Sequence, residues 1–568
     1  MEAGMSQSPQ TTAAESGGRF VPADHQPPLP SERLLVRGPP GDEALPLDVL
    51  FVGGGPAGLA GAIELARLAR RDAEEGGELG DLEIGVLEKS ETLGDHCLSG
   101  AVVKPGPFRE LFPDVPLEDL PFRRPSPGDR VYLLTERGRV RIPTPPTMHN
   151  DGNHVASICE IVRWMGRRAE ELGVNVFTGF PADALLVEGG GVRGVRTTPA
   201  GLDREGEPGS GYMPATDVSA RVTVLAEGTR GSLTSAWLRW QGIGSRNAQI
   251  YALGVKELWR VPAAPDAVIH TMGWPLPPDV FGGSFLYPMA DDLLALGLVV
   301  GLDYHEAGLD VHGLLQRLKG HPMVAQLLEG GEIEEWGGKT IPEGGFYALP
   351  ERLHGDGLVV VGDAAGFVDV PSLKGIHYAV HSGLLAARAV FEALREGEPS
   401  ERALRRYDEA IRDSFVVSDL YRTRNMRLAF KEGGLYRGGA RAALMTLTGG
   451  SIPGRRIPAE PDAEEPRVPG RAGEFTPDGS LTFSKEDAVY RSGNTTRDDI
   501  PSHLVVGEDV PPEVAEFYEH MCPAGVYARE GDRLTVNAPN CIDCKATDVL
   551  GPRWTPREGG SGPGYKRM

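Results

Sequence analysis

Three cysteines near the end of the chain have the spacing of a metal or iron–sulfur site. Cys522 is followed by Cys541 and Cys544, which form a C-x-x-C pair. Cysteine sets of this kind are typical of iron–sulfur clusters and of structural zinc sites. Because an ordinary 4Fe–4S cluster takes four thiolates, the set predicts a cluster whose cysteine shell is incomplete.

The fourth position of that site has several candidates. Asp548, Thr547 or a water could complete a four-iron cluster, whereas a three-iron cluster needs only the three thiolates. A zinc site that adds His520 is one alternative. A hairpin that carries the cysteines without any metal is another. The sequence alone leaves all of these open.

A second chemical signature is the glycine-rich turn at Gly53, Gly55 and Gly58, a G-x-G-x-x-G match. Residues 47–52 predict a buried strand before it, and an amphipathic helix pattern follows. In that context the glycines allow a tight turn, close approach of a pyrophosphate, and packing of the helix on the strand. The helix N-terminus then favours phosphate. The turn predicts a dinucleotide site, with Glu88 of the next predicted strand binding a ribose hydroxyl.

A further nucleotide-binding segment is predicted at residues 357–366, GLVVVGDAAG. Its apolar part predicts a buried strand, and Asp363 at the end of that strand suits a ribitol hydroxyl. The backbone that follows is expected to face phosphate. Gly366, together with Lys374 and Gly375 at the start of the next predicted helix, completes the predicted cofactor contacts.

Two other polar features receive a structural interpretation. His377 and His381 are one helical turn apart, and packing beside a flavin explains them better than a metal site, since no third ligand is nearby. Cys97 lies in a Gly- and Pro-containing loop and is interpreted as a small buried residue, although a place near a cofactor is conceivable.

Composition restricts the classes of function. The chain has 568 residues, 40% of them hydrophobic and 24% charged, as in globular proteins with more than one domain. A net charge of −22 argues against general nucleic-acid binding. No apolar run has the length of a transmembrane helix, and the first residues resemble neither a secretory signal nor a transit peptide. Five cysteines favour a reducing compartment.

Shifts in composition predict five segments along the chain. Residues 1–45 are rich in Pro, Gly, Ser and Ala and are expected to form a disordered tail. Residues 46–250 and 341–455 are expected to form two parts of one nucleotide-binding domain. Between them, residues 251–340 read as a β-rich domain, and residues 456–568 carry the cysteines.

Together these features resemble the electron-transfer flavoprotein–ubiquinone oxidoreductase family. The resemblance runs from about Leu47 to the C-terminal residue, and it is far more specific than a shared nucleotide fold. The matching stretches include VGGGPAGLA, LGDHCLSGAVVKPGPF, RWMGRRAEELGV, VTVLAEGTRG, LGVKELW, GGSFLYP, LGLVVGLDY, VPSLKGIH and CPAGVY.

The resemblance implies an α/β fold with three parts. These are a Rossmann-like FAD-binding domain of the glutathione-reductase type, an inserted β-rich quinone-binding domain, and a C-terminal ferredoxin-like iron–sulfur domain. It implies FAD, a 4Fe–4S cluster and ubiquinone as cofactors, with Gly282 and Gly283 lying against the quinone. The implied enzyme is an electron-transferring-flavoprotein dehydrogenase, which links fatty-acid and amino-acid oxidation to the respiratory chain.

The resemblance also implies partners and a location. Electron-transfer flavoprotein is the expected donor, and the chain is expected to attach peripherally to a membrane. The expected location is the cytoplasmic face of the inner membrane in a bacterium, or the mitochondrial inner membrane in a eukaryote. A predicted hairpin at residues 131–148 and the segment 433–456 are the candidate membrane elements, and both look less apolar than the family's.

The chain departs from the family at the cluster. The family pattern is C-x-x-C-K-T-C-D, but here Thr547 stands at the last ligand position and Ala546 replaces the preceding threonine, whereas Tyr527 is kept. These losses are expected to alter the charge and reduction potential of the cluster. Pro342 and Asp369 also stand where the family tends to carry asparagine.

Three other interpretations stay open at this point. One is a related FAD-dependent reductase or monooxygenase of the geranylgeranyl-reductase type, with a vestigial C-terminal domain. The second is a non-catalytic electron carrier or quinone-binding module. The third treats the C-terminal domain as an interaction domain stabilised by zinc.

Overall fold

The computed structural model describes residues 18–77, 79–452, 454–470, 475–531 and 533–568. In chain order the strands are β1 (Leu35–Arg37), β2 (Leu45–Val52), β3 (Ile84–Glu88), β4 (Val102–Val103), β5 (Arg124–Pro125), β6 (Asp129–Leu134), β7 (Arg139–Ile142), β8 (His154–Val155), β9 (Asn175–Thr178), β10 (Ala182–Glu188), β11 (Gly191–Thr197), β12 (Ala200–Leu202), β13 (Pro208–Met213), β14 (Asp217–Leu225), β15 (Tyr251–Arg260), β16 (Val268–Gly273), β17 (Gly282–Ala290), β18 (Leu293–Gly301), β19 (Glu332–Pro342), β20 (His354–Gly355), β21 (Leu358–Val360), β22 (Leu504–Val505), β23 (Tyr527–Glu530), β24 (Arg533–Val536) and β25 (Arg553–Trp554).

The α-helices are α1 (Ser31–Leu34), α2 (Pro56–Glu74), α3 (Gly106–Leu111), α4 (Ile158–Glu171), α5 (Ser232–Trp240), α6 (Val311–Lys319), α7 (Pro322–Leu328), α8 (Ile376–Arg395), α9 (Glu401–Asp413), α10 (Phe415–Arg422), α11 (Met426–Leu447), α12 (Lys485–Arg491), α13 (Pro512–Met521) and α14 (Ala546–Leu550). A kink at Gly434 divides α11. Within the described ranges, every helix is too short or too polar to cross a membrane.

The first sheet contains the predicted nucleotide-binding strands. Its order is β1-β10-β11-β14-β2-β3-β9, and β21 pairs with both β14 and β20. Strands β3, β2, β14 and β21 run parallel to one another, so their carboxyl ends share one edge. Val49, Leu50 and Phe51 of β2 have no exposed surface, as is typical of a parallel sheet covered on both faces. Helices α2 and α8 pack together beside this sheet.

The local elements predicted around the glycine turn are confirmed. Strand β2 ends at Val52, and α2 begins at Pro56. The apolar segment before Asp363 is β21, and the helix predicted after Gly375 is α8. Apolar runs bounded by glycines were therefore sufficient to find these elements.

The second sheet has the order β19-β15-β18-β17-β16-β6-β7. Strands β15 to β19 come from the region predicted to be β-rich, residues 251–340. The predicted hairpin at residues 131–148 is confirmed as β6 and β7, but β6 pairs in parallel with β16. The prediction that placed this hairpin inside the 46–250 part of the nucleotide-binding domain is wrong, because alternation predicts a strand without naming its partner.

The predicted disordered tail, residues 1–45, needs a similar correction. Residues 1–17 lie outside the described residues. In the rest of the segment, β1 pairs in parallel with β10 and Leu34 is buried. The Gln26 side-chain amide donates to the carbonyl oxygen of Asp548 at 3.0 Å. The prediction is wrong for this part, because polar composition gave no sign of contacts with residues hundreds of positions away.

The C-terminal region packs against both sheets. Its short strands pair as β22 with β25 and β23 with β24. The Thr340 N–H of β19 donates to the Cys544 carbonyl oxygen at 2.9 Å. The hydroxyl of Ser157, just before α4, donates to the carbonyl oxygen of Met568 at 3.2 Å. The cysteine-bearing loop is therefore held beside the edge where the parallel strands end.

Candidate cofactor sites

A cavity of about 350 Å³ lies between the two sheets, at the carboxyl ends of the parallel strands. Residues from both parts of the predicted nucleotide-binding domain, from the second sheet and from the C-terminal region line it. In open α/β sheets this edge is where nucleotide ligands bind. The predicted cofactor residues that line the cavity are Gly53, Gly55, Glu88, Asp363, Lys374 and Gly375.

The glycine turn forms one wall of this cavity. Gly53 has a φ of +113°, and a Cβ there would lie 2.3 Å from the Ala226 carbonyl oxygen. A Cβ on Gly58 would lie 2.1 Å from the carbonyl oxygen of Gly53, so α2 packs directly on the turn and Gly58 stays behind the wall. No atom lies within 4 Å of a Cβ on Gly55. The backbone there is open to a ligand, next to the free N–H groups of a helix, and fits a pyrophosphate.

Glu88 is tied to the same turn. One carboxylate oxygen accepts the N–H of Gly54 at 2.9 Å. The other accepts the N–H and the hydroxyl of Ser90, each at 2.9 Å. These bonds hold the carboxylate at the end of β3, beside the phosphate-binding turn. That is the position from which an acidic residue binds a ribose hydroxyl in dinucleotide sites.

The second predicted segment supplies the opposite wall. Asp363 lies in the short 3₁₀ turn after β21, where burial raises its pKa to about 6 and nearby Lys339 opposes the shift. Burial likewise lowers the pKa of Lys374 to about 8. Gly366 ends the 3₁₀ turn with a φ of +85° and does not line the cavity. Its effect on a ligand is through the shape of the turn that carries Asp363.

Sequence reasoning missed two lysines, one buried and one half-buried, in the wall formed by the second sheet. Lys256 of β15 has no exposed surface, and its ammonium donates to the Ser99 carbonyl oxygen at 3.0 Å. Burial lowers the pKa of Lys256 to about 8 and also lowers the pKa of Lys339 on β19. Buried cations beside a cavity suit an anionic ligand. The available signal was a lysine directly after the run YALGV at the start of β15.

The predicted quinone glycines lie at the start of β17. A Cβ on Gly282 would lie 2.2 Å from the carbonyl oxygen of Val299, and one on Gly283 would lie 2.5 Å from that of Thr271. The two glycines thus allow close approach of the flanking strands, and neither lines the large cavity. Phe285, two residues further along β17, does line it. Contact of the glycines with a quinone stays a prediction.

A second, smaller cavity in the C-terminal region is lined by all three predicted cysteines. Burial raises the pKa of each thiol, that of Cys541 to about 12. Backbone N–H groups face each sulfur and act in the opposite sense. Such donors stabilise a thiolate, so the three sulfurs fit a cluster or metal ion. In the order of the cysteines, the donors belong to Ala524 and Val526, to Asp543, and to Ala546.

The fourth wall of this cavity carries no sulfur. Thr547 lines it, with its hydroxyl 2.6 Å from the hydroxyl of Tyr527. Asp548, one of the predicted alternative ligands, does not line the cavity and instead accepts from the Arg230 guanidinium at 2.8 Å. His520 is also absent from the lining, which removes the support for a zinc site of three cysteines and this histidine.

One loop separates the two cavities. Lys545 lines both of them. Beside it, Asp543 is 1% exposed and is paired with Lys89 and with Arg557, the latter at 3.0 Å. Although burial opposes ionisation, Arg557 and Lys89 hold the pKa of Asp543 well below its ordinary value. This carboxylate anchors the loop of Cys541 to residues that line the large cavity or lie next to it.

The other polar features have structural explanations. His381 of α8 packs near Phe415, and so does His377. Among the described residues, the group close enough to share a metal ion is His503, Cys541 and Asp543, which does not include them. The structure therefore gives no support to a metal site at the α8 histidines. Cys97 lines the large cavity, and burial raises the pKa of its thiol.

Two family models match regions that the geometry had singled out. One, described as "ETF-QO, ubiquinone-binding", matches residues 251–341, and another, "Electron transfer flavoprotein-ubiquinone oxidoreductase, 4Fe-4S", matches residues 479–566. The mitochondrial electron transfer flavoprotein-ubiquinone oxidoreductase of Oryza sativa subsp. japonica is 39% identical, over 93% of this chain and 94% of the relative. The same-named protein of Pseudomonas aeruginosa is 36% identical, over 93% of this chain and 100% of the relative.

This chain belongs to the electron-transfer flavoprotein–ubiquinone oxidoreductase family. Membership confirms the predicted family, the predicted activity and the enzyme class, an oxidoreductase with a quinone acceptor. It also confirms the predicted set of FAD, an iron–sulfur cluster and ubiquinone. Because the relatives match over nearly their whole length, a vestigial C-terminal domain is not supported.

A solved structure supports the fold independently. A geranylgeranyl bacteriochlorophyll reductase-like protein from Thermoplasma acidophilum aligns with a TM-score of 0.55 at 21% identity, over 71% of this chain and 92% of that one. At this identity the likeness concerns the fold alone. It agrees with the predicted α/β class and its Rossmann-like domain, while the iron–sulfur region is the part matched by the second family model.

Proposed function

We propose that this protein carries electrons from reduced electron-transfer flavoprotein to ubiquinone, with FAD in the large cavity and an iron–sulfur cluster at the three cysteines. The observation that carries the proposal is the loop shared by the two cavities. Lys545 lines both, so groups bound on its two sides are close neighbours. The loop would hold the two groups at fixed neighbouring sites of one chain, where FAD and a cluster would supply redox chemistry.

The large cavity has the polar groups that an FAD molecule needs. Backbone at Gly53–Gly58 receives the pyrophosphate, Glu88 the ribose, and Asp363 a hydroxyl of the ribityl chain. Lys256 and Lys339 bring positive charge to the side formed by the second sheet. Bound FAD exchanges electrons singly or in pairs, and the chain's own residues hold it, shield it from water and set its electrostatic environment.

Quinone is proposed to approach from the second sheet. Gly282 and Gly283 begin the strand whose Phe285 and Tyr287 line the large cavity. The two glycines present no side chain and let the flanking strands approach closely, which fixes the backbone at the start of this strand. The match of residues 251–341 to the ubiquinone-binding family model supports this placement.

We also propose peripheral attachment to the membrane that contains the quinone. Helix α11 exposes large apolar side chains, with Tyr436 70% and Leu447 85% accessible, and β7 exposes Val140. The Leu435 N–H donates to the Pro278 carbonyl oxygen at 2.7 Å, in the loop that joins β16 to β17. Helix α11 therefore contacts the loop that leads to the predicted quinone glycines. The named relatives are mitochondrial or bacterial, which is consistent with the inner membrane in either case.

A quinone-reduction assay tests the proposed function. The full chain, loaded with FAD and reconstituted with iron and sulfide, is mixed with electron-transfer flavoprotein that an acyl-CoA dehydrogenase keeps reduced. We expect a ubiquinone analogue to be reduced only when both proteins are present. A chain that holds FAD but leaves the quinone oxidised would refute the proposal. Turnover with NADPH in place of the flavoprotein would instead favour an FAD-dependent reductase or monooxygenase.

A further inference from the structure

The cysteine cavity has four corners, meaning the side chains of Cys522, Cys541, Cys544 and Thr547, and these corners do not all present the same atom. Three corners carry a sulfur, that of Cys522, of Cys541 and of Cys544. The fourth corner carries the hydroxyl of Thr547. As thiolates, these three sulfurs are anionic ligands. The question is whether the fourth corner also offers one.

The hydroxyl of Thr547 is held in its neutral form by its neighbours. It donates to the carbonyl oxygen of Pro552 at 3.3 Å, and a carbonyl oxygen has no proton to give in return. With that proton committed, the hydroxyl of Tyr527, 2.6 Å away, is the donor to Thr547. An alkoxide at this position would face the negative end of the Pro552 carbonyl. Iron therefore meets no anionic ligand here.

No other thiol can take the place of Thr547. The chain has five cysteines in all, and Cys97 and Cys159 do not line this cavity. Their own contact lies elsewhere, since the Cys159 thiol donates to the Cys97 carbonyl oxygen at 3.1 Å. The site is therefore limited to three thiolates.

Neighbouring carboxylates and histidines are also unsuitable. Asp548 accepts from Arg230 at 2.8 Å and from the Trp554 N–H at 3.1 Å. His503 lies within 4.8 Å of the sulfur of Cys541 and of an oxygen of Asp543, but neither His503 nor Asp543 lines the cavity. These groups stand outside the cavity wall that a cluster would touch.

We infer that this site holds a three-iron cluster, 3Fe–4S, with Cys522, Cys541 and Cys544 as its protein ligands and a neutral Thr547 at the vacant corner. Such a cluster has one thiolate for each iron and needs no fourth ligand. The inference rests on the proposed function, because it assumes that the cavity binds an iron–sulfur cluster. It departs from the four-iron cluster named in the matching family model.

The test is reconstitution of the full, FAD-loaded chain with excess ferrous iron and sulfide under strict anaerobiosis, followed by a mild chelator. Iron and acid-labile sulfide are then determined, and EPR spectra are recorded in the oxidised and the dithionite-reduced states. Native mass spectrometry counts the irons directly. Two variants are treated in parallel: Thr547→Cys supplies the missing thiolate, and Thr547→Ser keeps the hydroxyl as the matched control.

We expect wild type and Thr547→Ser to retain three irons for four sulfides, with an EPR signal in the oxidised state that reduction abolishes. Thr547→Cys is expected to retain a fourth iron and to reverse this pattern, silent when oxidised and paramagnetic when reduced. The inference would be overturned if the wild type kept four irons after the chelator and was EPR-silent when oxidised and paramagnetic when reduced. The proposed function would then remain intact. A chain that takes up no iron and sulfide would overturn both.

Discussion

The large cavity offers its ligand a backbone turn, a few charged side chains and otherwise mostly apolar surface, whereas the cysteine cavity presents side-chain donors. In the first, Gly53 and Gly58 are required because a Cβ at either would strike a carbonyl oxygen at 2.3 or 2.1 Å. In the second, each sulfur is one donor among several, and the corner at Thr547 has none. The turn has no space for a Cβ at Gly53 or Gly58, whereas in the cysteine cavity the hydroxyl of Thr547 stands where a fourth sulfur could be. The two cavities are therefore expected to respond differently to substitution, the first at its backbone turn and the second at its side-chain donors.

The largest effect is expected when a second ligand position of the cysteine cavity, in addition to Thr547, has no thiolate. Cys544→Ala leaves two thiolates, and we expect complete loss of bound iron and sulfide with FAD retained. Cys159→Ala removes an equally buried cysteine that lines neither cavity, and it should keep the full iron content. Iron, sulfide and flavin analysis measure both variants. Normal iron binding by Cys544→Ala would show that the cavity is not the cluster site.

The converse experiment adds a methyl group to the turn. Gly58→Ala forces its Cβ against the Gly53 carbonyl oxygen, and we expect the free energy of unfolding to fall by about 3 kcal/mol. FAD affinity should fall about a hundredfold, which corresponds to roughly 3 kcal/mol. Thermal unfolding and a flavin-binding titration give the two values, and cluster content per folded chain should be unchanged.

Gly55→Ala is the matched control for that prediction. Its Cβ meets no atom within 4 Å, so the unfolding free energy of the FAD-free chain should stay close to the wild-type value. FAD affinity should still drop, by about tenfold, because the methyl group projects towards the ligand. If Gly55→Ala and Gly58→Ala lowered the unfolding free energy equally, the space at Gly55 would not be reserved for the ligand.

A smaller effect is expected at Glu88. In Glu88→Gln one of the two oxygens that accept the Ser90 and Gly54 N–H groups becomes an amide donor. We expect FAD affinity to fall about tenfold, which corresponds to about 1.4 kcal/mol of binding free energy. The cysteine cavity should be unaffected, with the same EPR spectrum. An unchanged flavin affinity would mean that this carboxylate serves the fold of the turn and not the ribose.

The smallest effect concerns pH. Burial raises the pKa of Asp363 to about 6, and the carboxylate is the form that only accepts hydrogen bonds. FAD affinity of wild type should therefore decline as the pH falls from 7 to 5 and this group gains a proton. Asp363→Asn should be about threefold weaker at neutral pH and free of this dependence. A wild-type profile that is flat across this interval would contradict the assigned role.

The sequence predicted the elements that depend on local pattern. The strand, turn and helix around Gly53–Gly58, and the strand before Asp363, are present because apolar runs and glycines specify them within a few residues. The pairing of β1 with β10, and of β6 with β16, joins residues more than a hundred positions apart and leaves no local signal. The role of Lys256 was missed because its cavity exists only once the two sheets meet.

The central claim is that both cavities take part in one electron relay. It is tested most directly by an anaerobic titration of the fully loaded chain with reduced electron-transfer flavoprotein, followed optically and by EPR. The account predicts uptake of about three electrons per chain, two by the flavin and one by the cluster. Added ubiquinone should then reoxidise both signals. A loaded chain whose flavin and cluster both stay oxidised in the presence of reduced electron-transfer flavoprotein would contradict it.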